Sequence, residues 1–287
     1  MLKTRVHQIL EKNSSVVFPG VYDALSAQIA AKTGFPLAFV SGYSVAATLI
    51  GEPDFGLLTQ TEMANHARRV CKSVDIPIIV DADTGYGNPL NVYRTVDDLI
   101  AAGAAGCFLE DQVWPKKCGH MQGKKVIDQN DYIDKIRAAN EARAGRDFFI
   151  VARTDALSVT GMDDAIGRVV AAREAGADGS FVEAPTSLDE MAEIGRRSPA
   201  PNVSNMIVGG RTPFLSEDEL AKLGFHLIVH PLAGLYSAAK AIQQTYCRLQ
   251  ESGSTKGEEN RQMSFSEFNE LIGVDAKYDL AKQFGAE

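Results

Sequence analysis

Cysteine is scarce in this sequence, and what little there is excludes two classes at once. Cys71, Cys107, Cys118 and Cys247 lie far apart, without the paired spacings of a disulfide framework or a zinc knuckle. They read as reduced thiols. Cys107 falls in a core run and Cys71 and Cys247 in helical patterns, which leaves Cys118 as the one in a loop. Long apolar runs are missing too: nothing nears the roughly 18 consecutive apolar residues of a membrane span. The start, MLKTRVHQILEKNSS, has an amphipathic helical pattern without the apolar stretch of a signal peptide. Positive charge is in deficit, and a net charge of -8 argues against nucleic acid or an anionic membrane as the main partner. The expected compartment is the cytosol. Internal repeats and low-complexity segments are absent, and no glycine-rich dinucleotide turn follows the first apolar run.

What is present is a large core: 45% of the 287 residues are hydrophobic. Short apolar runs recur eight times, at Val16 to Phe18, Leu37 to Val40, Ile76 to Val80, Gly106 to Leu109, Phe148 to Val151, Gly179 to Val182, Asn205 to Val208 and His226 to Val229. Helical spacing fills the gaps, as at Asp23 to Thr33, Gln60 to Ser73, Val92 to Ala102, Tyr132 to Arg143 and Met162 to Ala175. Several of these helices close on glycine, which suits a C-cap leading into a strand. Apolar strands alternating with helices predict a parallel sheet covered by helices, and eight units are the number that closes a (β/α)8 TIM barrel. A doubly wound open sheet is the alternative. A barrel domain is expected over residues 1–250. The polar segment 251–262 reads as a linker, and residues 263–287 as a helical tail. Phe265, Phe268, Leu271 and Ile272 share one face of that tail, which has to be buried somewhere, and a neighbouring subunit is a natural place.

Polar residues end or follow the apolar runs: Ser41, Asp81 and Asp83, Glu110, Arg153, Glu183, Asn205 and His230. In a barrel these converge on the C-terminal face, where barrel active sites are built. In VDADTGYGN, Asp81 and Asp83 stand two apart, so both carboxylates can face one hard cation, Mg2+ or Mn2+, with Glu110 as an outer acceptor of its waters. A solvated turn with capping aspartates is the competing reading. In PKKCGHMQGKK, Lys116, Lys117, His120, Lys124 and Lys125 surround Cys118. Nearby cations lower a thiol pKa, and an exposed thiol there can act as nucleophile or proton donor; a mobile basic loop with an incidental thiol is the alternative. SGYS, Ser41 to Ser44, offers backbone N–H groups to a carboxylate and the Tyr43 hydroxyl to a proton. Arg153 suits a carboxylate or phosphate, or an internal ion pair with Asp155 or Glu183.

Taken together, YDALSAQIAAKTGF, VSGYSVAATLIGEPDFGLLT, VDADTGYGNPLNV, LEDQVWPKKCGHMQGKKVI, FFIVARTDA, FVEAP, GFHLIVHPL and SFSEFNELIG resemble the isocitrate lyase and phosphoenolpyruvate mutase superfamily. The likeness is greatest to its petal death protein-like branch of oxaloacetate hydrolases and alkylmalate lyases. The resemblance implies a (β/α)8 barrel whose terminal helix is exchanged with a neighbour in a homotetramer. It implies Mg2+ at Asp81 and Asp83, with Glu110 and Asp54 in the same polar cluster, Asp54 counting among the catalytic groups with Cys118, Tyr43 and His120. Ser41, Gly42 and Tyr43 would grip a substrate carboxylate. Cys118, Gly119 and His120 would lie on a gating loop, with Lys117, Arg153, Glu183 and Asn205 completing the pocket. The implied reaction breaks the C2–C3 bond of a 2-hydroxy or hydrated 2-oxo dicarboxylate, and Cys118 protonates the departing aci-carboxylate.

Two departures stand out. The family's NMIEGGKTP is here NMIVGGRTP, so Val208 replaces a carboxylate, with a changed substrate orientation or an unpaired cation as the expected result. In LAGLY, Tyr236 stands where methylisocitrate lyases tend to carry an arginine, which disfavours a three-carboxylate substrate. Methylisocitrate lyase, a carboxyphosphonoenolpyruvate phosphonomutase and a non-catalytic ligand-binding barrel remain as alternatives.

Overall fold

The computed structural model describes residues 3–286; the expected domain ends at Met1, Leu2 and Glu287 lie outside that range. Eight parallel strands form the sheet: β1 (Val16–Val21), β2 (Ala38–Val40), β3 (Ile78–Asp81), β4 (Gly106–Glu110), β5 (Phe149–Thr154), β6 (Gly179–Val182), β7 (Val203–Asn205) and β8 (Leu227–His230). Their order is β6-β5-β4-β3-β2-β1-β8-β7, and a parallel bridge from Ser180 to Asn202 joins the two outer strands. The result is a nearly closed (β/α)8 barrel.

Helices return the chain from each strand to the next: α1 (Arg5–Lys12) precedes the barrel, followed by α2 (Ala24–Lys32), α3 (Gly42–Val45), α4 (Gln60–Cys71), α5 (Pro89–Ala102), α6 (Gln129–Arg143), α7 (Met162–Glu174), α8 (Leu188–Arg197) and α9 (Glu217–Lys222). Their starts follow from local chemistry. Thr59 and Glu62 form a capping box at α4, and Asn88 caps α5 just ahead of Pro89, which supplies a preset φ at the first helical position. Gly103, at φ +95°, ends α5 in the left-handed region that glycine enters without strain.

Side chains alternate along each strand. Those pointing inward (Phe18, Phe39, Ile79, Phe108, Phe149, Val151, Phe181, Val203, Leu227 and Val229) pack as one cluster, which Val6 of α1 joins beside Val16 and Leu37 at the strand starts. Those pointing outward, such as Val40, Val80, Cys107, Leu109 and Ile150, pack with Val70, Val96, Leu99 and Ile136 of the covering helices. The barrel is therefore filled below and leaves only its upper rim for chemistry.

Chain contacts define one unit reaching to Gly234 and another from Leu235 onward. The second holds most of α10 (Ala233–Ser252), then α11 (Phe265–Ile272) and α12 (Val274–Gln283). Two expectations are corrected here. The tail expected over residues 263–287, read as one helical stretch, holds two helices, because Gly273 at φ +75° breaks it. The seventh strand lies at Val203–Asn205 rather than Asn205–Val208: Met206 and Ile207 are apolar because they fill a loop beside the core and cavity, not because they pair in the sheet.

Candidate active site

The period of two that fills the barrel also builds its mouth. Two positions beyond inward Phe39, Ile79, Phe108, Val151, Phe181 and Val203 come Ser41, Asp81, Glu110, Arg153, Glu183 and Asn205. The same count from Val229 reaches Pro231. A small cavity opens here, lined by Ser41, Tyr43, Asp54, Asp81, Cys118, Gly119, Arg153, Glu183 and Asn205 over a floor of Phe39, Phe108 and Phe181. Its volume is about 40 Å³. That is room for roughly three waters, the scale of a small acid. His230 has the opposite parity and stacks edge-on with Phe214, ring centres 5.8 Å apart; it does not line the cavity.

On one side lie the acids. Asp81 accepts the Gly42 amide at 3.2 Å and the Asp83 amide at 3.2 Å. The Gly42 N–H thus faces Asp81 instead of standing free for a substrate carboxylate. A Cβ at Gly42 would meet Asp81 Oδ2 at 2.9 Å and Asp83 Oδ1 at 3.3 Å, so only glycine lets the backbone lie this close. Lys116 reaches into the cluster, its Nζ 2.6 Å from Asp54 Oδ1 and 2.7 Å from Asp83 Oδ1. Burial raises the Asp83 pKa to about 7, with Asp81 and Asp54 adding to the rise and Lys116 opposing it. Burial disfavours the Lys116 ammonium, but Asp83, Asp54, Asp81 and Glu110 outweigh it and hold the group well above an ordinary lysine.

On the other side is Arg153. Its guanidinium lies 3.2 Å from Glu110 Oε2, 3.1 Å from Asp155 Oδ2 and 4.0 Å from Glu183 Oε2. Burial pushes Glu110 well above the carboxylate range. Burial acts the same way on Glu183, yet Arg153 and the hydrogen bond from His120 prevail and bring it down to about 2. His120 Nε2 stands 3.1 Å from Glu183 Oε1, and its Nδ1 accepts the Arg211 amide at 3.0 Å. An Nδ1 that accepts leaves the proton on Nε2, aimed at Glu183. Asn205 Nδ2 donates to the same Oε1 at 3.2 Å.

The Cys118 loop lies over both sides, and here the expectations need correcting. Cys118 is not an activated, exposed thiol. Burial raises its pKa to about 11, and the cations meant to lower it are engaged elsewhere: Lys116 by Asp54 and Asp83, Lys124 by Asp155. Lys117 does not enter the cavity. Gln112 grips its backbone N–H and C=O at 3.0 and 2.8 Å, while Lys116 next to it is the one turned in onto Asp54 and Asp83. Lys116 and Lys124 are what residue-by-residue reading missed; lysines in a run look alike until the loop's path decides which are buried. Val208 is 71% exposed and absent from the cavity wall, and the site's cations are paired without a carboxylate there.

The donor set suits a hard cation. It is all oxygen, it draws in an ammonium, and Glu110 Oε1 is buried without a hydrogen-bond partner among the described residues. No three acidic, histidine or cysteine side chains among the described residues form a closed metal cage. Mg2+ does not need one, since it keeps several waters and takes few protein ligands.

Comparison with known proteins gives the family. The family described as phosphoenolpyruvate phosphomutase matches residues 6–249. A carboxyvinyl-carboxyphosphonate phosphorylmutase, chloroplastic, of Arabidopsis thaliana is 53% identical over 99% of this chain and 85% of its own length. A 2,3-dimethylmalate lyase of Eubacterium barkeri is 41% identical over 94% of this chain and 94% of its own. Among solved structures, oxaloacetate acetylhydrolase with the inhibitor 3,3-difluorooxalacetate superposes with a TM-score of 0.92 at 33% identity, covering 99% of this chain and 97% of the other. Phosphonopyruvate hydrolase with oxalate and Mg2+ follows at 0.87 and 27%, covering 99% of both.

Proposed function

The chain belongs to the phosphoenolpyruvate phosphomutase family, an enzyme superfamily of lyases and mutases that includes the isocitrate lyases, and from that premise we propose that it breaks the C2–C3 bond of a small 2-hydroxy or hydrated 2-oxo dicarboxylate. An alkylmalate would give pyruvate, and oxaloacetate would give oxalate, each with a short-chain carboxylate. Asp81 and Asp83 would hold Mg2+, with Mn2+ as the alternative, inside the acid shell of Glu110 and Asp54. When bound, the ion supplies positive charge to the oxygens of the 2-oxy acid.

Ser41 and Tyr43 line the cavity and would orient that end of the substrate, with the Tyr43 hydroxyl accepting a hydrogen bond from the substrate's hydroxyl and relaying its proton, by releasing its own, toward the neighbouring carboxylates. Arg153, backed by Glu110, Asp155 and Glu183, faces the negative charge that develops as the bond breaks. The Cys118 Sγ–H then gives its proton to C3 of the departing aci-carboxylate, and the thiolate recovers a proton from water once the loop opens. One observation carries this reading: a thiol held un-ionised by burial lines the same cavity as Arg153, Asp81 and Ser41. An un-ionised thiol is an acid, not a nucleophile.

A second reading, carboxyphosphonoenolpyruvate phosphonomutase, is favoured by the Arabidopsis relative. Group migration needs no proton at carbon, so Cys118 separates the two. The test is an assay with Mg2+ of oxaloacetate, citramalate, dimethylmalate, methylisocitrate and phosphonopyruvate, measuring oxalate and pyruvate. Release that Cys118→Ser abolishes supports the lyase. Turnover confined to the phosphonate moves the reading toward the mutase's phosphorus–carbon chemistry, and no turnover of any overturns the lyase.

The assembly we propose is a homotetramer of dimers that exchange the 263–287 tail. In its support, Phe265 and Phe284 are 86% and 78% exposed, more apolar surface than a short helical segment leaves in water. A monomer in size-exclusion chromatography with light scattering would rule it out. The four unpaired thiols suit a reducing compartment such as the cytosol, and among the described residues no helix is long and apolar enough to cross a membrane.

A further inference from the structure

The Cys118 loop springs from a narrow neck. Gln112 and Val126 form an antiparallel bridge, backed by the Val113 amide donating to Lys125 O at 2.8 Å and the Ile127 amide to Asp111 O at 2.9 Å. Its middle rests on the pocket wall: a Cβ at Gly119 would fall 2.5 Å from Glu183 Oε1 and 2.6 Å from Arg153 Nη2. Between neck and tip stands Lys124, its side chain 2% exposed while Gly123 and Lys125 on either side lie in solvent. A buried ammonium persists only where it is paired and hydrogen-bonded. Lys124 Nζ donates to the Gly119 carbonyl at 2.5 Å and to Asp155 Oδ1 at 2.6 Å.

Asp155 belongs to the rigid barrel. It follows β5, and its amide is fixed on Asp111 Oδ1 at 2.9 Å. Its carboxylate also accepts from Arg153 Nε at 3.1 Å. One carboxylate therefore holds the pocket's guanidinium and, through Lys124, the carbonyl of the residue next to Cys118. Lifting the loop takes the Gly119 carbonyl away and opens the ammonium to water.

We propose that Lys124 is a positioning residue: it latches the Gly119 carbonyl to Asp155 and so fixes Cys118 over the pocket. Lys124 is absent from the cavity wall and touches no reacting group. An anion that engages Arg153 draws the guanidinium away from Asp155 and leaves more of that carboxylate to Lys124, so ligand binding tightens the latch. The coupling rests on the proposed acid site at Arg153; the latch itself does not.

Loop opening can be read without any substrate, by tryptic cleavage after Lys117 and Lys125 and by the fluorescence of Trp114, the only tryptophan in the chain. Lys124→Met is expected to be cleaved about tenfold faster or more, the size of losing a charge-assisted hydrogen bond from the closed state. Lys124→Arg keeps a cation with the reach to both partners and should stay within about threefold of the parent. A folded Lys124→Met cleaved at the parent's rate, with Trp114 emission unchanged, overturns the latch. Should Lys124→Met not fold, Asp155→Asn decides: it keeps an acceptor oxygen but removes the charge, so cleavage must quicken, and an unchanged rate again overturns the proposal. A second arm adds Mg2+ and oxalate. Protection of the parent that shrinks in Lys124→Met supports the coupling; absence of protection in the parent overturns the coupling and the acid site, while the ligand-free arm still decides the latch.

Discussion

Lys116 and Asp83 form an ion pair at 2.7 Å in which both side chains are only 2% exposed. The ammonium stands among the acids where the proposed cation binds, so the cluster is not left with bare repulsion when metal-free. Even so, burial holds the Asp83 pKa at about 7, above the roughly 3.9 of an unfolded aspartate. Its proton therefore stabilises the folded protein fully below about pH 4, and that contribution fades as pH rises through about 7. Two results are expected. The thermal midpoint of metal-free protein falls as pH rises through neutrality. Mg2+ affinity by calorimetry weakens toward tenfold per unit below about pH 7, because binding must release that proton. A pH-independent affinity would remove Asp83 from the metal site.

Cys118 is half-buried against the pocket with its pKa raised to about 11, so at pH 8 only about a thousandth of it is thiolate. Iodoacetamide should label the exposed Cys247 well before Cys118, as peptide mapping over time would show. Cys118→Ser should lower turnover by about a hundredfold or more, the scale of a lost general acid, while oxalate binding with Mg2+ stays near the parent value. Rapid alkylation of Cys118, or an unimpaired serine variant, would deny it the acid's role.

Glu183 joins three elements: it meets His120 at 3.1 Å, Asn205 at 3.2 Å and Arg153 at 4.0 Å. Its pKa of about 2 lies below the unfolded value, so it adds stability above about pH 4.3 that is lost as pH falls through about 2. Glu183→Gln should shallow the acid-unfolding curve over that interval. It should also cut turnover, because the neutral amide presents an N–H to His120 or leaves Arg153 short of charge. Parallel acid-unfolding curves would show that Glu183 is not the charge these partners hold.

Much of this was legible in the chain because one rule, the period of two, governs both core and rim. Phe39 to Ser41, Ile79 to Asp81, Phe108 to Glu110, Val151 to Arg153 and Phe181 to Glu183 are steps along strands, where spacing alone fixes the side a residue faces. The same rule would have removed His230, which has the parity of outward Ile228. The misreadings fall off the strands. Whether Lys116 or Lys117 turns inward depends on loop contacts such as the Gln112 grip on Lys117, which carry no period. The supposed activation of Cys118 failed for a related reason: counting lysines along a sequence cannot show that carboxylates distant in the chain, Asp54 and Asp155, have already engaged them.

Val208 shows how far that difference reaches. By the family resemblance it stands in place of a carboxylate within NMIVGGRTP, and a reoriented substrate or an orphaned cation is the expectation. In the fold its side chain is 71% exposed, while Ile207 beside it faces the cavity. Arg153 already has Glu110, Asp155 and Glu183, and besides Ile207 the loop meets the site through the Arg211 amide on His120 at 3.0 Å, a backbone bond that no side chain at position 208 supplies. Val208→Glu should therefore change kcat/KM by less than about threefold on whichever substrate is turned over, as an exposed substitution away from the partners usually does. Gly210→Ala makes the contrast, since its Cβ would press to 2.9 Å from His120 Nδ1. That variant should lose activity while Val208→Glu keeps it. The reverse order would mean that position 208 reaches the substrate through a loop conformation other than this one.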